Sequence, residues 1–526
     1  MKNYFLAIAL FFTSISASFA QTKSYSGIKR FSSTGLQAIT ENNEIKGYFL
    51  FGLLDKVNKK ENLYQIVILD NNLNETHAVE LKKSKTFYLL ETSYNGEAFC
   101  FSFIDYKKKT LEYLLYDKAG KSLGSYKVSD LSATEIQMVA ARARMAKDAY
   151  SGGLVAVNKR GFVRYGIEKS KGQRMEMEMF DNTGKKVWSA NSGASKSAKS
   201  FESVVPFYSD SIVVASWLTT RARMMTQQFE SDITFHDAKT GTLLFKTSSK
   251  NAKYGLLPQG VSYDSKTKEY FIYGEYTKPK DIKSLGFYLQ VIDNKGVVKN
   301  ENFMAWTGDI FKATPGEIKN KMQKNTFVAV HKMVRTADGK FFAVGEQFKK
   351  KIDGGGIFLG FLGTVVGSLS QGIVQFENNR ALFKIVLYNM MVYEFGSDLK
   401  IENVSMFTKA KTSIPLPRGA GINGSTTLGY YLKAMGAFDY EYSSVSANNE
   451  TFNSAYVNYD KKKKKGHRTV IGNIAYTKDH TLVDDKVDLS SKATDYWVLP
   501  AKPGYVCVFE YFRKAKKLDI RFEKLN

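Results

Sequence analysis

Acid–base, nucleophilic and metal chemistry draw on histidine, cysteine and paired carboxylates, and this chain of 526 residues is poor in the first two. Its five histidines, His77, His236, His331, His467 and His480, are scattered, and none has a second ligand at the short spacing that would fix a metal ion. No G-x-S-x-G, H-E-x-x-H, C-x-x-C or phosphate-cradling glycine loop occurs. His236-Asp237 is the best candidate for a base with its orienting carboxylate, but the aspartate stands where a chain reversal is expected, and turn chemistry accounts for it. Cys100 in EAFCFSF and Cys507 in GYVCVFEYF sit in alternating apolar stretches, with no cation or histidine beside them to lower their pKa. Both read as buried free thiols and not as nucleophiles. No catalytic residue, disulfide, metal or cofactor is assigned.

What the chain has in excess is positive charge. Lysine and arginine number 76 against 51 acids, a net charge of +25 at pH 7. Such a balance bears on partners and not on fold, and it points to acidic ones. Where the cations fall depends on the elements that carry them.

The N-terminus comes first. Lys2, an apolar run from Tyr4 to Phe12 and the small-x-small triplet Ser18-Phe19-Ala20 have the layout of a secretory signal, residues 1–20, with Gln21 as the mature terminus. The run is too short to span a bilayer comfortably, and no cysteine follows the cleavage site to take a lipid anchor. Export by the Sec route, to the periplasm, the cell envelope or the exterior, is the expectation.

Residues 21–526 follow one grammar. In RMEMEMFDNTGKKVWSA, Arg174 to Ala190, Met175, Met177 and Met179 alternate with Glu176 and Glu178, which reads as a half-buried strand. Asp181-Asn182-Thr183-Gly184 then reverses the chain, and Val187 and Trp188 begin the return strand. The pattern recurs in YLLYDKAGKSLGSYKV, ITFHDAKTGTLLFKT and LQVIDNKGVVKNENF, and more loosely in IVILDNNLNETHAVEL. The turn acids Asp70, Asp117, Asp181, Asp237, Asp293, Asp398 and Asp479 are spaced by 47 to 105 residues. A unit of about 45 to 55 residues holds four short strands, the size of one β-propeller blade. The longer gaps need insertions. A helix is expected near 132–147, where Ser132 and Glu135 form a capping pair, and another at 315–324 behind Pro315.

The expected fold is therefore all-β: a single propeller of four-stranded antiparallel blades, eight with seven as the alternative, closed by pairing an N-terminal strand, Ser24 to Phe31, with the last blade. On this parse Cys100 and Cys507 lie on separate blades, too far apart to pair.

In such blades the loops between second and third strands share one end of the ring. They hold Lys59, Lys60, Lys107, Lys108, Lys109, Lys169, Lys171, Arg174, Arg221, Arg223, Lys278 and Lys280 in the first five units. The later units add Lys349, Lys350, Lys351, the run Lys461, Lys462, Lys463, Lys464, Lys465 with Arg468, and Arg513 with Lys514. A basic face is one reading and ordinary solvated hairpin loops are the other. The same end carries a charge-free insertion at 354–374, whose Ile357, Phe358, Leu359, Phe361 and Leu362 form an apolar, glycine-interrupted lid or contact.

By this repeat grammar the chain resembles secreted β-propeller proteins of uncharacterised function. The resemblance implies a fold and no activity. The expectation is an exported, monomeric, non-enzymatic binding or scaffold protein whose basic face takes an acidic partner: envelope glycan, anionic membrane surface or protein. Nucleic acid fits less well, since no stacking motif accompanies the lysines. The alternative is a glycan-active or other hydrolytic propeller with its site in the central channel, which convergent carboxylates at the inner strands would favour.

Overall fold

A computed structural model describes residues 22–525 apart from 42–43, 134, 137–153, 169–173, 192–199, 210–211, 224–225, 249–252, 265–266, 279–282, 322–325, 353–382, 417–427, 430–431, 434–435, 461–467 and 490. Alternating strands joined by tight reversals can satisfy their backbone only with their chain neighbours, so each run of four folds into a twisted antiparallel sheet. Seven such blades follow one another along the chain, at 30–84, 87–128, 154–191, 200–248, 255–305, 327–415 and 440–488. They form one ring, a β-propeller.

The expectation of eight blades is corrected to seven. Seven are contiguous, and the remaining four-stranded sheet is a composite of the two chain ends: Thr22–Ser26 pairs with Lys517–Lys524, Thr22 opposite Arg521 and Ser26 opposite Lys517. Its inner strand, Asp495–Pro500, lies between the inner strands of blades 7 and 1. Nor is 24–31 one strand. The chain breaks after Ser26 at Gly27, and Arg30 and Phe31 already belong to Arg30–Glu41, the inner strand of blade 1. Blade 6 carries a fifth strand, Thr412–Pro415, on its third.

Ring geometry also revises the half-buried strands. Each blade is covered on both faces by its neighbours, so Ala98–Asp105 is buried at every position. In the methionine strand Met177 and Met179 are buried, and so is Glu178 on the opposite face. Glu178 survives there because Arg164 pairs with it, Lys186 Nζ lies 2.5 Å away and the Tyr126 hydroxyl donates from 3.0 Å. Burial works against its charge, but Arg164 foremost and then Lys186 hold the carboxyl below its ordinary range.

The turns between third and fourth strands have a second role. Asp117, Asp181 and Asp293 each accept backbone N–H bonds at 2.8–2.9 Å from residues two and four places on, and Asp70 does the same at 2.8 Å. Each fixed turn then presses on the outer strand of the preceding blade. A side chain at Gly241 would meet the Trp188 ring at 2.6 Å, one at Gly296 the Phe245 ring at 2.7 Å, and one at Gly184 the Ser125 carbonyl oxygen at 2.3 Å. Trp188 Nε1 donates to the Ala238 carbonyl across the same seam, at 3.1 Å. Blades 1 and 6 reverse the fit: Leu73 and Leu399 occupy the positive-φ position and plug the neighbouring sheet. In blade 7 the reversal rests on Thr477, whose N–H bonds Thr481 O at 2.9 Å, with Asp479 only at the tip.

Among the described residues helices are few. Ser132 and Glu135 cap one another reciprocally, at 2.7 and 3.2 Å, and 133, 135 and 136 are helical, but the expected helix from 137 on lies outside the described residues. The second helix is described over Gly316–Lys321, the rest of its expected span lying outside the described residues, and Asp309–Ala313 precedes it without having been foreseen. Among the described residues no helix is long and apolar enough to cross a membrane.

Candidate binding face

Hairpins between second and third strands, and crossings from one blade to the next, lie together at one end of the ring. Lys59 and Lys60 occupy this end in blade 1, Lys107 to Lys109 in blade 2, Lys278 in blade 5, and Arg513 and Lys514 in the composite sheet, all exposed. The local cause is turn chemistry again, since Asp105 accepts the N–H groups of Lys107 and Lys108 at 3.0 and 3.1 Å and leaves their side chains outward. Arg513 is the one of these that turns back, to Asp495 at 3.1 Å.

Other expected loop cations stand on the strands that lead into this end. Lys349, Lys350 and Lys351 belong to the strand Phe341–Ile352, which runs into the expected loop; Lys350 lies 5.2 Å over the Phe383 ring and Lys351 5.9 Å over Tyr388. Arg221 and Arg223 end the strand Ile212–Arg223, and Arg174 and Arg468 open third strands. Lys169, Lys171, Lys280, Lys461 to Lys465 and the lid residues Ile357, Phe358, Leu359, Phe361 and Leu362 lie outside the described residues.

His236 and the two cysteines hold structural places. His236 Nδ1 donates to the Gly241 carbonyl at 3.0 Å, and burial pushes its pKa down, while Asp237 holds the turn. Cys100 and Cys507 are buried free thiols with pKa values raised by burial. Among the described residues no group of three ligating side chains could hold a metal.

Between blades 6 and 7 sits a charge cluster that periodicity did not show. The crossing segment sends Lys409 into the wall, fully buried, 3.0 Å from Glu346 Oε1 and 2.5 Å from Asp439 Oδ2. The Asp439 and Tyr440 N–H groups donate to Glu346 Oε2 at 3.0 and 3.2 Å. Burial raises the Glu346 carboxyl to about 7, the Lys409 ammonium opposing and Asp439 adding. His331, stacked on Tyr440 at 4.4 Å, is held neutral by burial and by the Lys433 and Lys409 cations.

Asp439 also faces a polar hollow of about 300 Å³ between blade 7 and the composite sheet, with Glu441, Asp495, Tyr459, Tyr496 and Trp497. Carboxylates thus do meet at inner-strand starts, but Asp439 and Asp495 are bound to Lys409 and Arg513.

A cleft of about 480 Å³ opens at the same end between blades 5 and 6. Trp306, Phe311, Phe327, Phe348, Tyr393 and Leu285 line it, with Lys283 and Glu275. Its shape follows from the helix Asp309–Ala313, wedged between the outer strands of the two blades.

A family model described as a family of unknown function, DUF6770, matches residues 1–526. The chain belongs to that family. No curated protein matches its sequence. Among solved structures the DUF6770 chain is similar to the WD40 domain of SCAP from fission yeast, at 10% identity over 96% of this chain and 98% of that one, with a TM-score of 0.38. It is also similar to the β-propeller domain of the Trilobed protease from Pyrococcus furiosus, at 10% identity over 89% and 97%, TM-score 0.36. A third is Oligopeptidase B from Leishmania major, at 8% identity over 87% of this chain and 54% of that one, TM-score 0.34.

Sequence reasoning found the lysine loops but missed the cleft and the Lys409 cluster in this DUF6770 chain. Trp306 and the Asp309–Ala313 wedge fall in the stretch between two recognised units, and an aromatic beside a short helix was the only available signal.

Proposed function

We propose that this chain is an exported, non-enzymatic binding protein that holds a polyanionic partner, an envelope glycan or an anionic lipid surface, on the loop end of its ring. The observation that carries the reading is the exposure of Lys59, Lys60, Lys107 to Lys109, Lys278 and Lys514 at one end, while the aspartates of the opposite end are spent on turn backbone. Clustered cations of this kind attract phosphate- or carboxylate-bearing polymers through an interaction that salt screens. The test is co-sedimentation of the purified protein with anionic vesicles and with an acidic polysaccharide, at low and high salt. Binding that falls steeply with salt is expected; binding that is absent or indifferent to salt rejects the reading.

A second reading, a glycan-cleaving site at the channel mouth, has the hollow with Asp439, Glu441 and Asp495 on its side. Release of reducing ends from an acidic polysaccharide, lost in Glu441→Gln and Asp495→Asn, would favour it. No release by the unaltered protein tells against it.

A further inference from the structure

The seam between blades 5 and 6 differs along its length. At the turn end it is shut: Arg335 pairs with Asp264, its guanidinium lies 4.5 Å over the Phe271 ring, and Phe271 packs on Phe341 at 5.0 Å. At the loop end it parts. Among the described residues, inner strands of other neighbouring blades approach closely, whereas those of blades 5 and 6 do not, and Asp309–Ala313 props the outer strands instead. The cleft so formed, about 480 Å³, lies in the range of small-molecule sites.

Its walls select for apolar matter. Polar groups there are engaged within the protein: Trp306 Nε1 donates to Ser284 Oγ at 2.8 Å and Thr314 Oγ1 to the Ile310 carbonyl at 2.7 Å. Glu275, the carboxylate of the lining, accepts from Gln259 Nε2 at 2.7 Å, and apart from it, Lys283, Thr307 and Thr326 the rest is mostly aromatic and aliphatic; two of the rings, Phe311 and Phe327, are 54% and 38% exposed. Exposed large rings around a concave apolar site are the mark of a surface that something covers. The surroundings select for negative charge: exposed Lys283 is part of the lining, Lys278 precedes it on the hairpin, and Lys319 Nζ sits 4.6 Å over the Phe311 ring.

We infer that this cleft binds the chain of a single-chain amphiphile with an anionic head, a fatty acid or an alkyl phosphate ester, the tail along the wall that Trp306 and Tyr393 form together and the head among Lys278, Lys283 and Lys319. The inference rests on the polyanion reading only for the sign of the head group. A neutral amphiphile would gain the same apolar burial but none of the charge attraction, and a bare anion would gain only the latter.

The probes are dodecyl phosphate, laurate, dodecyl maltoside and inorganic phosphate, each below micelle formation, titrated into the full-length protein by calorimetry with tryptophan fluorescence alongside. Dodecyl phosphate and laurate should bind one to one, roughly tenfold or more tighter than dodecyl maltoside, and inorganic phosphate should not bind measurably. Val328→Trp, which fills the cleft, and Phe311→Asp at its exposed rim should each weaken dodecyl phosphate by about tenfold or more. Unchanged affinity in a folded Phe311→Asp protein overturns the site, and equal affinity for dodecyl maltoside overturns the anionic head. Binding of acidic polysaccharide by the same variants separates the two ideas: retained binding with lost dodecyl phosphate supports both, while dodecyl phosphate bound by a protein that ignores all polyanions leaves the cleft and removes the basic face.

Discussion

The two ends of the ring are built from the same strands and obey different rules. At the turn end, residue type is dictated by contact with the next blade. Aspartate oxygens tie the reversal, and a glycine or a plugging leucine lets it seat on the sheet before it. At the loop end the hairpins of blades 1 and 2 are held by bonds from the crossing segments, Lys85 N–H to Lys60 O and Leu131 N–H to Lys109 O, both at 3.0 Å, and each keeps its own length and charge. Steric demand repeats and leaves a readable mark; solvent exposure imposes no such demand.

The comparison breaks first where the loop end reaches into the wall. Lys409→Met leaves Glu346 and Asp439 buried without their cation and should cost about 3–5 kcal/mol in denaturant unfolding. A loss below about 1 kcal/mol would mean that the crossing segment is not integral to the ring.

At the turn end the expected loss is smaller and has an internal control. Gly241→Ala imposes a side chain at positive φ and drives it onto Trp188, for about 3 kcal/mol in all. Gly339→Ala meets the same backbone strain, with Ser397 Cβ no nearer than 3.6 Å, and should cost about 1 kcal/mol. The excess at Gly241 should shrink in a Trp188→Ala background, as a double-mutant cycle would show. An excess that persists there would place the cost inside the turn and not between blades.

This contrast also explains what the sequence discloses. Period-two alternation with Asp-x-x-Gly reversals identifies the strands because both features answer to the backbone, and the lysines of DYKKKT stand out by composition alone. Burial on both strand faces is a property of the ring and not of any segment, so Glu178 looks like a solvent-facing residue until Arg164, on the neighbouring strand of its own blade, is seen to meet it. Lys409 and Glu346 are 63 residues apart, and neither position looks unusual locally. The cleft needs two blades and a helix at once, whereas the pairing of an N-terminal strand with the last sheet was expected from the spare strands at the two chain ends, though its bounds are Thr22–Ser26.

Titration should distinguish the ends as well. Glu346 has its folded pKa raised, so its proton is held more tightly in the folded state; the stability it contributes is complete below about pH 4 and is lost as pH rises through about 7. Relative to Glu346→Gln, the unaltered protein should therefore lose stability between pH 5 and pH 8, by roughly 1–3 kcal/mol in matched melts. His331, depressed by burial, works in the opposite direction near neutrality; its Nε2 lies 3.9 Å from Glu346 Oε2, so the difference curve reports the two groups as a pair. Asp293 at the turn end is lowered by its bonds from Val297 and Lys295, and its contribution is present at neutral pH and fades in acid. A difference curve that is flat from pH 5 to pH 8 would deny Glu346 its buried proton.

The smallest effect on stability is expected at the residues with the largest expected effect on binding. Lys107 and Lys108 are exposed, and the bonds that order their hairpin run from backbone N–H groups to Asp105, which no side-chain replacement removes. Lys107→Glu with Lys108→Glu should therefore stay within about 0.5 kcal/mol of the unaltered protein in denaturant unfolding. The same pair reverses charge in the middle of the basic end, and it should weaken retention on acidic polysaccharide or anionic vesicles most at low salt, where screening is least. If stability and retention both remain unchanged, these lysines are solvated loop residues like those of any hairpin, and the two ends of the ring differ in steric demand alone.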